Sequence, residues 1–177
     1  MIRILAYEIR PARYHDYDPR VVEVAATVAS FIRDAAPWLQ AEHIGSTAVP
    51  GCAGKGIVDM MVLYPPGKLD AARNVVDGLG FQRQQTGHIF PEERPMRVGA
   101  IEVGSEIYRL HVHILDTTAQ EVADLRHFRD VLCTDKALCA AYQAKKRAIL
   151  EAGLSEPLGY TKAKGEFINA ILEKRTA

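Results

Sequence analysis

The segment IVDMMVLY at residues 57–64 constrains this chain more than any other. Seven apolar side chains read as a largely buried strand, and one carboxylate, Asp59, interrupts them. Such a carboxylate is costly to bury unpaired, so Asp59 requires a partner or a metal. HIGSTAVPG and the loop GCAGKG stand immediately before it. Small residues let backbone amides approach a ligand closely, Ser46 and Thr47 add hydroxyl donors, and Lys55 adds a compact positive charge suited to phosphate. Gly45, Ser46, Thr47 and Lys55 are therefore candidates for an anion site. The same hydroxyls serve equally well in a turn or helix cap, and Asp59 serves equally well as an ion-pair partner of Lys55 or Arg109.

Around this segment the pattern alternates between helix and strand. Val21, Val22, Ala25, Val28, Ala29 and Ile32 recur at helical spacing after Asp18-Pro19, with Asp18 placed to cap and Pro19 to occupy the first turn; this helix ends near Pro37. LDAARNVVDGLG is a second helix with a glycine stop. FQRQQTGHIF, MRVGAIEV and EIYRLHVHIL are strand-like and complete one sheet. From Thr118 onward the chain is helical: AQEVADLRHFRDVL, KALCAAYQAKKRAILEAG and, after a turn region from Gly153 to Gly159, TKAKGEFINAILEKR. The expected fold is α+β, one mixed or antiparallel sheet covered mainly by helices, with a helical C-terminal third. Residues 1–177 read as a single domain, because no linker divides them.

Formal net charge is zero, so no global electrostatic pull toward nucleic acid or an anionic membrane is expected, and a small phosphorylated ligand is the expected partner. The N-terminal MIRILAYEIRPAR is too short and too charged for a signal peptide, and no apolar run approaches a membrane span, so a cytoplasmic location is expected. Cys52, Cys133 and Cys139 lack the spacing of zinc or redox pairs and read as reduced thiols.

GCAGKG imitates a Walker A loop but fails it. The first glycine of that motif would fall at Val49, Gly56 occupies the position of the magnesium-binding hydroxyl, and the loop precedes its strand instead of following one. A Gly-Ser turn followed about a dozen residues later by an acid in an apolar strand instead resembles the nucleotidyltransferase superfamily. HIGSTAVPG with K-x-I-V-D is similar to the signature of the GrpB family, and YDPR, LHVHIL, HFRDVL, Y-x-A-K-K and YTKAKGEFI resemble family blocks in the family's order. The resemblance covers nearly the whole chain and implies a nucleotidyltransferase-like fold. It also implies a nucleotide or phosphorylated ligand, with nucleotidyl or phosphoryl transfer as the associated chemistry.

That chemistry ordinarily needs two carboxylates two apart on one strand, so that both face one magnesium, with a third acid nearby. Here the second position is Met61, a poor ligand for a hard cation, so the site needs Glu102, Asp116 or another acid to reach in. His111 and His113 share one strand face. With Asp59 they form a candidate catalytic and metal-binding set for magnesium, manganese or zinc; the plain alternative is two hydrogen-bonded sheet histidines. The flanking Arg109 and Leu115 leave no third histidine for a histidine-triad hydrolase. Arg129, in HFRD, and Lys164 or Lys162, at the start of the last helix, are further phosphate candidates. Arg126, Lys145, Lys146 and Arg147 read as a solvated helix face, and Phe128, Tyr142 and Phe167 as packing residues. The competing functional reading is a non-catalytic module of the same fold that stabilises or regulates a partner protein.

Overall fold

Two adjacent strands, β2 (Ile57–Tyr64) and β5 (Glu106–Asp116), run parallel in the interior of a five-stranded sheet. The computed structural model of the chain describes residues 3–11, 13–85, 89–152 and 157–173, with the backbone alone for 157–163. The sheet order is β1-β2-β5-β4-β3, with β1 (Gln40–Ile44), β3 (Gln82–Arg83) and β4 (Met96–Val103) completing it. Every pairing except β2 with β5 is antiparallel, which makes the sheet mixed. The parallel pair requires a long crossover, which here runs through α2 (Leu69–Gly78), β3 and β4.

Strand alternation divides the sheet into two unlike faces. Val58, Met60, Val62, Leu110, Val112 and Ile114 pack against α1 (Val21–Ala35) and α2 in the main core. Burying one such aliphatic side chain is worth about 1.5–3 kcal/mol. On the opposite face, Met61, Leu63 and Leu115 form a smaller cluster with Ile44 and with Val122 of α3 (Gln120–Thr134). Arg109, His111 and His113 stand on that same face but are only half-buried. The apolar cluster thus occupies one end of the face and a polar cleft the other.

The edge of β4 is covered by an unexpected segment. β3 pairs with only two residues of β4, and beyond them Leu5 exchanges backbone hydrogen bonds of 2.7 and 3.0 Å with Ala100. Ile4 then lies over Gly99, where an added Cβ would come within 2.6 Å of the Ile4 Cγ2 atom. A second bridge, His15 to Gly54, ties the chain after this segment to the loop carrying Lys55. α4 (Lys136–Glu151) and α5 (Pro157–Glu173) complete the helical C-terminal layer. Phe128, Tyr142 and Phe167 pack there with Val49 and Cys52, as the helical spacing predicts.

Three boundaries differ from those expected. FQRQQTGHIF contributes only Gln82–Arg83 as strand, and residues 86–88 lie outside the described set. α5 begins at Pro157, inside the segment expected to turn, because proline suits the first helical position where no amide hydrogen bond is lost; residues 153–156 lie outside the described set. Asp18 stands two residues before the formal cap of α1, where its carboxylate accepts the Arg20 amide at 3.0 Å and the Tyr108 hydroxyl at 2.8 Å. Among the described residues no helix is long and apolar enough to cross a membrane.

Candidate functional site

Asp59 is the one half-buried residue of an otherwise buried β2, because it sits at the end where the apolar cluster stops. In the sheet it stands between Ile44 of β1 and His111 of β5. Its Oδ1 atom is 3.4 Å from His111 Nδ1, and the other ring nitrogen of His111, Nε2, is 3.1 Å from the Tyr7 hydroxyl. Gly45, next to Ile44, lies so close that a Cβ there would fall 2.7 Å from Asp59 Oδ2. The sequence thus brings Gly45, Asp59 and His111 together as expected, and the N-terminal segment adds Tyr7.

A cavity of about 240 Å3 opens beside this group, lined by Tyr7, Arg10, Lys55, Gln82, Arg109 and His111. A second cavity, of about 390 Å3, shares Arg10, Lys55 and Arg109 with the first. Burial pushes the Lys55 ammonium down to about 8, the charge of Lys164 adds to the effect, and Asp59 opposes it. Lys164 is likewise lowered by burial and opposed by Asp59, so both lysines bear on this one carboxylate. Burial alone would raise the Asp59 carboxyl, but the hydrogen bond and charge of His111, together with the charges of His113 and Lys164, hold it at about 2.

Ser46 faces a second, hidden cation. An added Cβ at Gly54 would meet Lys146 Nζ at 2.8 Å and Ser46 Oγ at 3.2 Å. Lys146 is not on a solvated face: it is buried, donates to the Ala53 carbonyl and lies over the Tyr142 ring, 4.5 Å from its centroid. Helical spacing misplaces it because its long stem carries a charge into a loop packed on α4, which no local pattern encodes.

Other expected residues go elsewhere. The hydroxyl of buried Thr47 bonds His43 Nε2 at 2.9 Å and the Ile57 carbonyl at 3.3 Å, which makes it a brace for the turn. Arg129 bonds Asp130, Glu42 and the His43 carbonyl, fastening α3 to β1 instead of approaching the cleft. Arg126 also pairs with Glu42. The side chain of Lys162 lies outside the described set. His113 has its own partners: Arg94 donates to its Nδ1 at 2.7 Å, and Phe90 meets its ring edge-on.

The donor set does not fit a metal held by the protein alone. Met61 is fully buried in the apolar cluster, Asp116 is bonded to Thr118, and Glu102 pairs with Ile107 at the β4–β5 hairpin. Glu102 is four residues along β4 from the neighbour of His111, roughly 13 Å away. Both His111 nitrogens and His113 Nδ1 are engaged. Among the described residues, no three of His, Cys, Asp or Glu are gathered to hold a metal. The expected trio of Asp59, His111 and His113 is therefore not assembled as ligands, and the cations around Asp59 suit an anion better than a second cation.

The histidines also set an acid limit on stability. Burial lowers His43 to about 4 and His113 to about 3, the latter helped by Arg94. Both stay neutral when folded, whereas the unfolded chain takes up their protons near the ordinary value of about 6.5. The unfolded state then binds more protons, so stability is full above that value and falls as pH drops toward 4. Thermal midpoints measured from pH 7 to pH 4 should decline with that slope, and the decline should be shallower in His43→Gln. An unchanged slope in His43→Gln would refute its share.

A sequence model of the family described as GrpB protein matches residues 11–174. A UPF0157 protein of Streptomyces coelicolor is 32% identical over 92% of this chain and 83% of its own length. A UPF0157 protein of Pseudomonas aeruginosa is 32% identical over 96% of this chain and 68% of its own. Among solved structures, the conserved protein GrpB from Enterococcus faecalis aligns with a TM-score of 0.69 at 23% identity, covering 93% of this chain and 100% of that one. The mtPAP structure in complex with GTP aligns at 0.54 with 12% identity, covering 81% of this chain and 36% of that one, which is a likeness of fold.

Proposed function

We propose, because this chain belongs to the GrpB family and has a nucleotidyltransferase-like fold, that it binds a nucleotide or another phosphorylated small molecule in the cleft beside Asp59. The observation carrying this reading is a cluster of cations beside one carboxylate: Lys55 and Arg109 line the cavity together, and Lys55 and Lys164 both feel the charge of Asp59. Cations brought together in a partly desolvated cleft repel one another, and an anion relieves that repulsion. Lys55 and Arg109 hold the phosphate, with Arg109 suited to a two-pronged contact and Lys55 acting as a point charge. Gly45 leaves the approach to Asp59 open, since a Cβ there would fall 2.7 Å from Asp59 Oδ2. The Asp59–His111 pair supplies an acid/base couple for phosphoryl or nucleotidyl transfer. Any divalent cation enters with the ligand's own phosphates. That mtPAP is described in complex with GTP is consistent with a fold able to host a nucleotide.

The second reading, a non-catalytic module that stabilises or regulates a partner, is favoured by Met61, whose place in the apolar cluster removes the second acid of the usual transfer site.

Calorimetric titration with pyrophosphate and nucleoside triphosphates separates an anion site from its absence. Lys55→Ala should weaken binding about 10- to 100-fold, the worth of a charged hydrogen bond of about 1.5–3 kcal/mol. Because the Lys55 ammonium is displaced down to about 8, affinity should fall as pH rises through that value and the charge is lost. Affinity that is flat from pH 7 to 9.5, or equal in Lys55→Ala, would remove the proposal.

A further inference from the structure

We infer that Tyr7 is a nucleophile of this cleft, accepting a phosphoryl or nucleotidyl group from a phosphoric anhydride held at Lys55 and Arg109. The inference rests on the proposed phosphate site and assigns the group that reacts there.

Three observations support it. The first is a chain of contacts with the geometry of an activated nucleophile. The Tyr7 hydroxyl is 3.1 Å from His111 Nε2, and His111 Nδ1 is 3.4 Å from Asp59 Oδ1. A nucleophile within hydrogen-bond reach of a base, with the base oriented by a third group, is the recurring arrangement of covalent catalysis. With its proton on Nδ1 facing Asp59, His111 leaves Nε2 free to accept from the phenol. The second is placement. Tyr7 lines the same cavity as Lys55 and Arg109, and its hydroxyl is within hydrogen-bond reach of the Arg109 guanidinium. The third is that the segment is built to hold it. The Leu5–Ala100 bridge fixes the chain two residues earlier, and the Tyr7 amide donates to Gln82 Oε1 at 3.0 Å. A tyrosine packed only for its ring would not need its hydroxyl aimed at a histidine that is itself aimed at a carboxylate.

The step balances without any further reagent. Tyr7 Oη forms a bond to phosphorus as the P–O bond to the leaving phosphate breaks, and the leaving oxygen takes that electron pair. The phenolic proton passes to His111 Nε2, and Asp59 faces the Nδ1–H of the resulting imidazolium. Burial raises the phenol above its ordinary value against the pull of Arg109, so the hydroxyl enters the step protonated and needs a base. Arg109 and Lys55 stand beside the charge that develops on the phosphoryl oxygens.

The test incubates the full chain with ATP and magnesium and, separately, with acetyl phosphate as a small phosphoryl donor, followed by intact-mass and peptide-fragmentation mass spectrometry. Pyrophosphate binding is measured on the same samples by calorimetry. The expected result is one phosphoryl or nucleotidyl adduct per chain on Tyr7, lost in Tyr7→Phe and formed at least tenfold more slowly in His111→Gln and Asp59→Asn. Pyrophosphate should still bind Tyr7→Phe. Because the adduct is located on the wild-type chain by fragmentation, the assignment survives even if a variant folds poorly. Bound pyrophosphate with no adduct, or with an adduct on another residue, would overturn the nucleophile and leave the phosphate site standing. Neither binding nor an adduct would overturn both.

Discussion

Gly45→Ala should unfold the turn at the cleft, lowering stability by about 2–5 kcal/mol and abolishing pyrophosphate binding. Gly45 adopts φ 71° and ψ −168°, a backbone conformation that is essentially confined to glycine. A methyl group there adds a second problem: it would lie 2.7 Å from Asp59 Oδ2 and 3.2 Å from Asp59 Cβ. The backbone cannot retreat easily, because Ile44 before it is paired in the sheet opposite Asp59. Asp59 must therefore turn, and turning breaks its contact with His111 and withdraws the carboxylate facing Lys55 and Lys164. Gly67→Ala provides the control. Gly67 also has a positive φ, 79°, but nothing lies within 4 Å of an added Cβ, so only a conformational cost of about 1–2 kcal/mol is expected. Denaturant unfolding and calorimetry on the two variants separate strain from collision. Equal losses of stability, with pyrophosphate binding intact in Gly45→Ala, would show that the approach to Asp59 does not matter.

Residues whose partners are close in sequence or fixed by strand period were legible from the start. Asp59 stood out as the one carboxylate in an apolar strand, His111 and His113 shared a face by alternation, and Gly45, Ser46 and Lys55 lay in the preceding loop. The α+β architecture followed from the order of helical and strand periods. The family resemblance, carried by blocks spread along the chain, was confirmed by the match over residues 11–174. Tyr7 was not legible. It lies in a segment without helical or strand period, and it reaches the cleft only because a two-residue β3 leaves the edge of β4 open to Leu5. Lys146 was invisible for a related reason: its helix reads as polar around this position, and only tertiary packing on the Ala53 loop buries it. Thr47 and Arg129 erred in the opposite direction. Their chemistry suits phosphate, but nearby backbone carbonyls and carboxylates claim it first. Sequence spacing identifies which groups could act; the pairing of distant edges decides which of them face the cleft.

Arg97→Met should cost about 3 kcal/mol of stability without altering the cleft, because Arg97 works on the opposite side of the sheet. Its side chain is 1% exposed, among the apolar residues that β4 turns toward α2. Four contacts with carboxylates keep it there: Nε to Asp77 Oδ1 at 2.5 Å, Nη2 to Asp77 Oδ2 at 3.3 Å, Nη1 to Glu92 Oε1 at 3.2 Å and Nη2 to Glu92 Oε2 at 2.9 Å. One guanidinium thus holds the last turn of α2 and the loop before β4 in two-pronged pairs. Methionine fills much of the volume but leaves two carboxylates, 40% and 31% exposed, without the shared cation, although Glu92 keeps Arg73 and Arg83. Their partial exposure allows some rehydration, which places the cost at the lower end of that expected for breaking a buried pair. Lysine should restore only part of the loss, since a single ammonium cannot satisfy both forks. The pH dependence gives an independent check. Arg97, through its hydrogen bond, is the main cause holding Glu92 below the usual carboxylate range. That contribution is present above the ordinary carboxyl value and fades as pH falls below it, so Arg97→Met should lose more stability at pH 7 than at pH 3. Equal destabilisation at both pH values would mean that the arginine acts through packing alone. A midpoint unchanged at pH 7 would mean that the ion-pair cluster contributes nothing to the fold.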